Sequence, residues 1–281
     1  MIAEVPRRAG VLYSVEPRPK GDSMELEQST QTTNTRRGFL QSAAEVGVGI
    51  GAASAGMTAA SFGGILGLGP AVAHAEDGGA ILDLAATAET LAVTFYYTAL
   101  TGATFRMDER ALAHLKLTMD AGLHHLEILR SLGGRSLREQ FYLPERLLAD
   151  ASVFVATGLT IESALAGAYV AATHQFAALG QPALAATAAQ LGASAAQHQT
   201  LIGQLAGLTP GGQTLPAAGF RRVSDATPVL APFLAGGAGF EGPVRVPSAR
   251  QYRAALGNVK GERVQPFVQV HGASAAGRAE D

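Results

Sequence analysis

The chain of 281 residues contains no cysteine. That absence excludes a disulfide framework, a lipid-anchored lipoprotein N-terminus and any thiolate-based metal site. Charge is sparse and balanced, with 21 Lys and Arg against 23 Asp and Glu and a net charge of −2. Lys and Arg form no cluster beyond the segment that carries Arg36 and Arg37, only scattered pairs, so nucleic acid is not an expected partner. No Ser-His-Asp arrangement, no pair of carboxylates on strands and no nucleotide loop stands out. The run GGAGFEG at 236–242 neither follows a clear strand nor opens a clear helix, and it reads as loop.

The two ends need trimming before any domain is placed. Residues 34–75 open NTRRGFLQSAAE, continue through a Gly- and Ala-rich weakly apolar run and finish GPAVAHA. This reads as a twin-arginine export signal, with Arg36 and Arg37 as the pair and Ala73-His74-Ala75 as the cleavage site before Glu76. A membrane-spanning helix is the competing reading, but eight glycines in residues 46–73 make a poor lipid-facing helix, and no stable span is expected in the mature chain. Residues 1–33 are a polar, Pro-containing leader that is either disordered or untranslated, since Met24 offers a second start. The expected partner at this stage is the twin-arginine translocation machinery, and the expected location is the periplasm or cell envelope.

Proline is scarce where the apolar pattern is strongest. Residues 79–207 contain two prolines, are rich in Ala and Leu, and space their apolar residues at three and four positions, the helical period. Four long helices account for them. The first covers about residues 80–101, with Leu82, Ala85, Glu89, Val93, Tyr96 and Leu100 on one face. The second starts after Asp108 as N-cap, turns Leu115, Thr118, Gly122, His125 and Leu129 inward, and stops at Gly133-Gly134.

A connection of about 15 residues then follows, too long for a tight turn, so it is expected to cross the length of the bundle. The third helix covers about 148–179, with Val155, Glu162, Leu165 and Tyr169 inward. Gly180-Gln181-Pro182 ends it and begins the fourth, about 183–208, with Leu191, Ala195, His198, Ile202 and Leu205 buried. Residues 209–281 form a Gly- and Pro-rich extension expected to pack on the bundle through Phe233, Phe240 and Phe267. It carries one short helix around 248–256, and its last residues are expected to be disordered.

One interval recurs through the helical region. Glu89 and Glu162 are 73 residues apart, as are Tyr96 and Tyr169, and His125 and His198. Each half therefore reads Glu, then Tyr seven residues on along the same face, then His on the next helix, which indicates two helical hairpins related by duplication.

On these residues the chain resembles the ferritin-like superfamily, and in particular the secreted ferritin-like domain family that includes bacterial exported proteins and plant desiccation-related proteins. The resemblance covers about 130 residues, within 76–208. It implies an all-α fold, an up-down-down-up four-helix bundle with a long crossover, followed by an irregular C-terminal tail. The di-iron version of this fold takes one Glu from each of two helices and a Glu-x-x-His motif from each of the other two. By resemblance, Glu89 and Glu162 match the terminal carboxylates, and His125 and His198 match the histidines. Where each Glu-x-x-His should begin, however, the chain has Gly122 and Ala195, so both bridging carboxylates are lost.

Two divalent ions close together need hard anionic oxygens between them, so a dinuclear iron centre is not expected. Two readings remain. One divalent Fe, Mn or Zn could be shared by Glu89, His125, Glu162 and His198. Alternatively, the four form a metal-free polar core, Glu89 with His125 and Glu162 with His198, closed by Tyr96 and Tyr169 as outer partners. His124 points about 100° away from His125 and reads as a surface or interface residue. Asp120 and Glu127 lie off the inward stripe, and His114, His174 and His271 have no partner at useful spacing.

The leading expectation is an exported ferritin-like protein with a degenerate metal site, non-catalytic, with envelope, stress or desiccation roles. The alternative is a metal-binding oxidoreductase or a metal store. The Ala-rich run ALAATAAQLGASAAQ also permits close helix approach within the bundle or in a homo-oligomer.

Overall fold

A computed structural model describes residues 76–209 and 214–271. The leader, the twin-arginine segment with Arg36, Arg37, Ala73 and Ala75, and the expected disorder of the last residues all lie outside the described residues.

Four long helices form as the apolar spacing predicts: α1 (Gly78–Gly102), α2 (Glu109–Ser131), α3 (Ala151–Ala178) and α4 (Pro182–Leu205). Their starts have local causes. Asp77 accepts from the Ala80 N–H at 2.8 Å, Asp108 from Ala111 at 2.7 Å and Asp150 from Ser152 at 2.9 Å, while α4 opens with Pro182 after an uncapped Gln181. The N-caps 77 and 150, like 108 and 181, stand at the 73-residue interval that relates the Glu, Tyr and His pairs. The third and fourth helices are shorter than expected, since residues 148–150 precede the Asp150 cap and the chain turns at Ala206-Gly207.

The bundle direction follows from contacts at its ends. The Thr104 N–H, just past α1, donates to the Leu148 carbonyl before α3, while Gln175 late in α3 donates to Glu76 just before α1. Hence α1 and α3 lie antiparallel side by side. The connection after α2 begins beside the start of α1, where the Arg135 N–H donates to Asp83, and it finishes at Leu148 beside the end of α1. It therefore runs the length of the bundle, and the all-α, up-down-down-up arrangement with a long crossover is observed.

α1 and α3 are long and apolar enough to cross a membrane by composition, yet 72% of each apolar window is buried in the fold. Their apolarity is that of central core helices, filled by Ile81, Leu91, Phe95, Phe154 and Ile161. Threonines in α1 meet their hydrogen-bonding needs without leaving the helix: Thr87, Thr90, Thr94 and Thr98 each donate to a carbonyl four residues back.

The tail is more regular than expected. After a 3-10 turn at Val223–Ala226 come α5 (Thr227–Ala235), β2 (Phe240–Arg245), α6 (Ala249–Leu256) and α7 (Phe267–His271). Strand β2 pairs antiparallel with β1 (Gln140–Pro144), which lies inside the crossover, so the run at 236–242 ends in a strand rather than being loop throughout. A two-stranded ribbon split between a loop and a tail has no local signal, because neither strand has a hairpin partner nearby in sequence. Phe233 is fully buried and Phe240 packs edge-on against it, as anchors should. Phe267 is not an anchor. It is 40% exposed, and the buried contacts at that end come from Tyr252, Leu256 and Pro266.

The tail is fastened to the bundle by polar contacts. Glu76 accepts from Gln175 and from the Ser224 N–H, and Gln175 in turn accepts from the Val223 N–H. Asp120 accepts two hydrogen bonds from the Arg263 guanidinium, at 2.6 and 2.8 Å, and one from the Gly261 N–H at 2.7 Å. Burial alone would raise the Asp120 pKa, but the Arg263 and Gly261 hydrogen bonds outweigh it and hold the carboxyl below its usual range.

Because the folded pKa of Asp120 lies below the unfolded one, its stabilisation is complete above the unfolded pKa, about 4, and is lost as pH falls through the folded value. Asp120→Asn is expected to lower stability to urea by about 2 kcal/mol at neutral pH. The gap between wild type and variant should shrink on acidification below about pH 4. A gap that stayed constant down to pH 2 would show that the pair contributes nothing through charge.

Candidate metal centre

Four helices deliver six polar side chains to the middle of the bundle. Glu89 and Tyr96 come from α1, His125 from α2, Glu162 and Tyr169 from α3, and His198 from α4. All six are buried, Glu162 with 1% and Glu89 with 3% of their surface exposed. A carboxylate removed from water in an apolar core is tolerated only when its oxygens have partners, and here the partners are specific.

His125 Nδ1 lies 3.1 Å from Glu89 Oε1, and His198 Nδ1 lies 3.5 Å from Glu162 Oε2. The tyrosines cross over. Tyr169 donates to Glu89 at 2.7 Å, and Tyr96 donates to Glu162 at 2.5 Å, so each carboxylate takes its His from its own hairpin and its Tyr from the other. The two triads are thus related by the duplication and tied through each other. Burial raises both tyrosine pKa values well above 10, and the adjacent Glu162 beside Tyr96 and Glu89 beside Tyr169 raise them further. Both phenols are therefore protonated donors at neutral pH.

The two halves are not identical. Glu89 Oε1 receives both its partners, whereas Glu162 divides them between its oxygens. At 3.5 Å the His198 contact is an ion pair without hydrogen-bond alignment, and Glu162 Oε2 is buried with no hydrogen-bond partner. Burial opposes charge on His198, yet Glu162 and then Glu89 outweigh it and raise the pKa, which favours the imidazolium. The other ring nitrogen of His198, Nε2, faces Ser194 at 3.4 Å. The His125 and His198 rings lie nearly parallel with centroids 6.0 Å apart.

The two missing carboxylates define what the centre can hold. A Cβ built on Gly122 would stand 2.7 Å from Val93 Cγ1 and 3.6 Å from Glu89 Oε2. Even alanine does not fit at 122 without displacing Val93, so a bridging glutamate has no room there. At the same 73-residue interval the second half has alanine at both positions, Ala166 and Ala195, and both are buried. The residues present do not fit a dinuclear centre. Among the described residues no three His, Asp or Glu side chains form a ready ligand group for a metal ion.

The remaining charged side chains named by the sequence lie elsewhere. Asp120 is buried but committed to Arg263 and Gly261. His124 faces Glu127 and the Val264 carbonyl, each at 3.2 Å, so the residue expected at a surface or interface holds the tail. His114, His174 and His271 take no part in the network. A cleft of about 410 Å³ between α2 and α4, bordered by residues 261–266, reaches His125 from the surface, with Ser194 and Gln197 on its walls. The crossed tyrosines and the Val93 contact are what sequence reasoning missed. Heptad spacing places Tyr on the face of Glu, but it does not say which Glu its hydroxyl meets.

Gly122→Ala tests the Val93 contact. Overpacking costs about 1–3 kcal/mol and exceeds the roughly 1 kcal/mol that alanine gains in helix propensity, so the variant is expected to be less stable than wild type. Val93→Ala added to it should recover stability in chemical denaturation. A more stable single variant would show that Val93 yields freely.

Residues 78–208 match the family model described as the ferritin-like domain. No curated protein and no solved structure matches the chain. The match coincides with α1 to α4, and the duplicated Glu, Tyr and His sit at its centre, so residues 78–208 are similar to the ferritin-like domain over the whole four-helix bundle.

Proposed function

We propose that this is an exported, non-catalytic ferritin-like protein in which a hydrogen-bonded polar core stands where relatives of this fold hold two metal ions. Its role in this reading lies in the cell envelope, in stress or desiccation tolerance. The observation that carries the reading is the Val93 side chain lying where a substituent on Gly122 would go. A second supports it: each carboxylate already has one imidazole and one phenol, the partners a buried anion needs in place of a cation.

Export rests on the Arg36-Arg37 signal and its A-x-A site. Cleavage there would leave Glu76 as the first residue, with its carboxylate bound by Gln175 and by the Ser224 N–H. The envelope and desiccation role rests on the resemblance to secreted ferritin-like proteins.

A second reading is favoured by the unpartnered Glu162 Oε2, the facing imidazoles and the cleft that reaches His125. In it Glu89, His125, Glu162 and His198 hold one divalent Fe, Mn or Zn, which would supply Lewis-acid or redox chemistry. The chain's own part would be to release the imidazole protons and turn both carboxylates toward the ion while the phenols keep them aligned.

Metal content per chain, measured by mass spectrometry on protein from its natural export route after a mild chelator, separates the two. No ion above background is expected, and one tightly held ion that disappears in His125→Ala, His198→Ala would establish the second reading. The steric argument makes a further prediction. Gly122→Glu alone should fold poorly, whereas Val93→Ala, Gly122→Glu, Ala195→Glu should fold and bind divalent metal with micromolar or better affinity in a competition titration. A triple variant that folds yet binds nothing would remove Val93 as the reason for the missing metals.

A further inference from the structure

A second polar site lies where α2 ends. Arg130 occupies the last turn of α2, Gly133 turns the chain with φ of +96°, and residues 134–139 fold back along α1. Arg130, Arg135 and Arg138 line a pocket of about 460 Å³ with Ser136 and Glu139, bounded by Val246 just past β2.

None of the three arginines forms an ion pair or a side-chain hydrogen bond among the described residues, whereas Arg146 and Arg263 each pair with an aspartate. The carboxylate that meets this loop, Asp83, is taken by the Arg135 backbone N–H at 2.7 Å. Glu139 makes no ion pair either. Most telling is Arg138 Nε, which is buried and has no hydrogen-bond partner. A buried donor without an acceptor is unfavourable, and native folds rarely keep one unless something outside the chain completes it.

The chemistry of the missing acceptor follows from what is free to bind it. Most of the loop N–H groups are engaged: Gly133 and Gly134 donate to α2 carbonyls, Arg135 to Asp83, Leu137 to Thr87 and Arg138 to Ser136. Recognition therefore falls chiefly to the guanidinium groups. Three arginines and one glutamate leave a lining charge of about +2, suited to a dianion, and the planar guanidinium fork matches oxygens held on one tetrahedral centre. We propose that this pocket binds a phosphate group, either as free phosphate or as the phosphate of a lipid headgroup. The site shares no residue with the Glu/His/Tyr core and stands independently of any reading of that core.

Calorimetric titration of the full chain with inorganic phosphate at low ionic strength tests it. One site per chain is expected, weakened at least tenfold by Arg138→Gln and by Arg135→Gln, the latter an exposed change that leaves folding intact. Arg250→Gln on α6, outside the pocket, should bind as wild type does. Co-sedimentation with phosphatidylcholine vesicles, with and without phosphatidic acid, separates the sources. Arginine-dependent capture by phosphatidic acid assigns a headgroup, and phosphate binding without capture assigns the free ion. The proposal is overturned if wild type binds neither at millimolar phosphate or excess lipid, or if Arg250→Gln weakens binding as much as the pocket variants do.

Discussion

Two carboxylates buried at the centre of an apolar bundle set the terms for everything around them. Glu89 and Glu162 are nearly inaccessible to water, so each must be met by donors placed within a few tenths of an ångström. One triad draws on α1, α2 and α3, and the other on α3, α4 and α1. A sliding or rotation of any helix would strand a carboxylate, so the polar core fixes the relative register of all four. Apolar packing alone, with so much alanine at the interfaces, would tolerate several alignments of nearly equal energy.

The same constraint bears on Gly122 and Ala195, the positions where the Glu-x-x-His pattern would place a glutamate. A residue smaller than glutamate there occupies less volume and brings no negative charge. In the first half the volume is taken by Val93 against Gly122, whose missing Cβ is what lets the valine in. In the second, the corresponding residues are the buried alanines Ala166 and Ala195. Two carboxylates face the histidines, and Glu162, with Glu89 behind it, raises the His198 pKa against the effect of burial, in the direction that favours a compensating positive charge. Repacking is incomplete at one atom, Glu162 Oε2, where the His198 approach is longer than at the matching contact and hydrogen bonding is lost.

The bundle was legible because helices are local. Period, N-caps and the glycine stop after α2 are properties of neighbouring residues, and the 73-residue interval made the two hairpins visible at once. The site was legible in its members but not in its wiring. Tyr96 and Tyr169 could be assigned to the Glu-bearing faces, yet the crossing of each to the opposite carboxylate depends on the separation of α1 and α3, which no spacing encodes. The tail was least legible. Its strand pairs with a partner about a hundred residues earlier, its helix α5 is only nine residues long, and Phe267 is aromatic like Phe233 yet stays exposed. Burial there is decided by how Arg263 and Gly261 fasten the strap to Asp120, a contact across more than 140 residues.

That fastening bears on how the domain and its extension divide the work. The family match ends at residue 208, yet the tail returns to the bundle at separate places: the 3-10 turn to Gln175 and Glu76, β2 to the crossover, and residues 261–268 to α2 and α4. Each contact joins the tail to at least one element of the bundle or crossover. The crossover, which would otherwise be a long unsupported loop, gains a strand partner. The α2 and α4 faces, which diverge enough to leave a cleft down to His125, gain a strap across their border. In the metal-free reading proposed above, the four-helix core lacks the cross-links that metals would provide between helices. The extension supplies cross-links of another kind, hydrogen-bonded and peripheral, and the four-helix bundle is best understood as one structure with its tail.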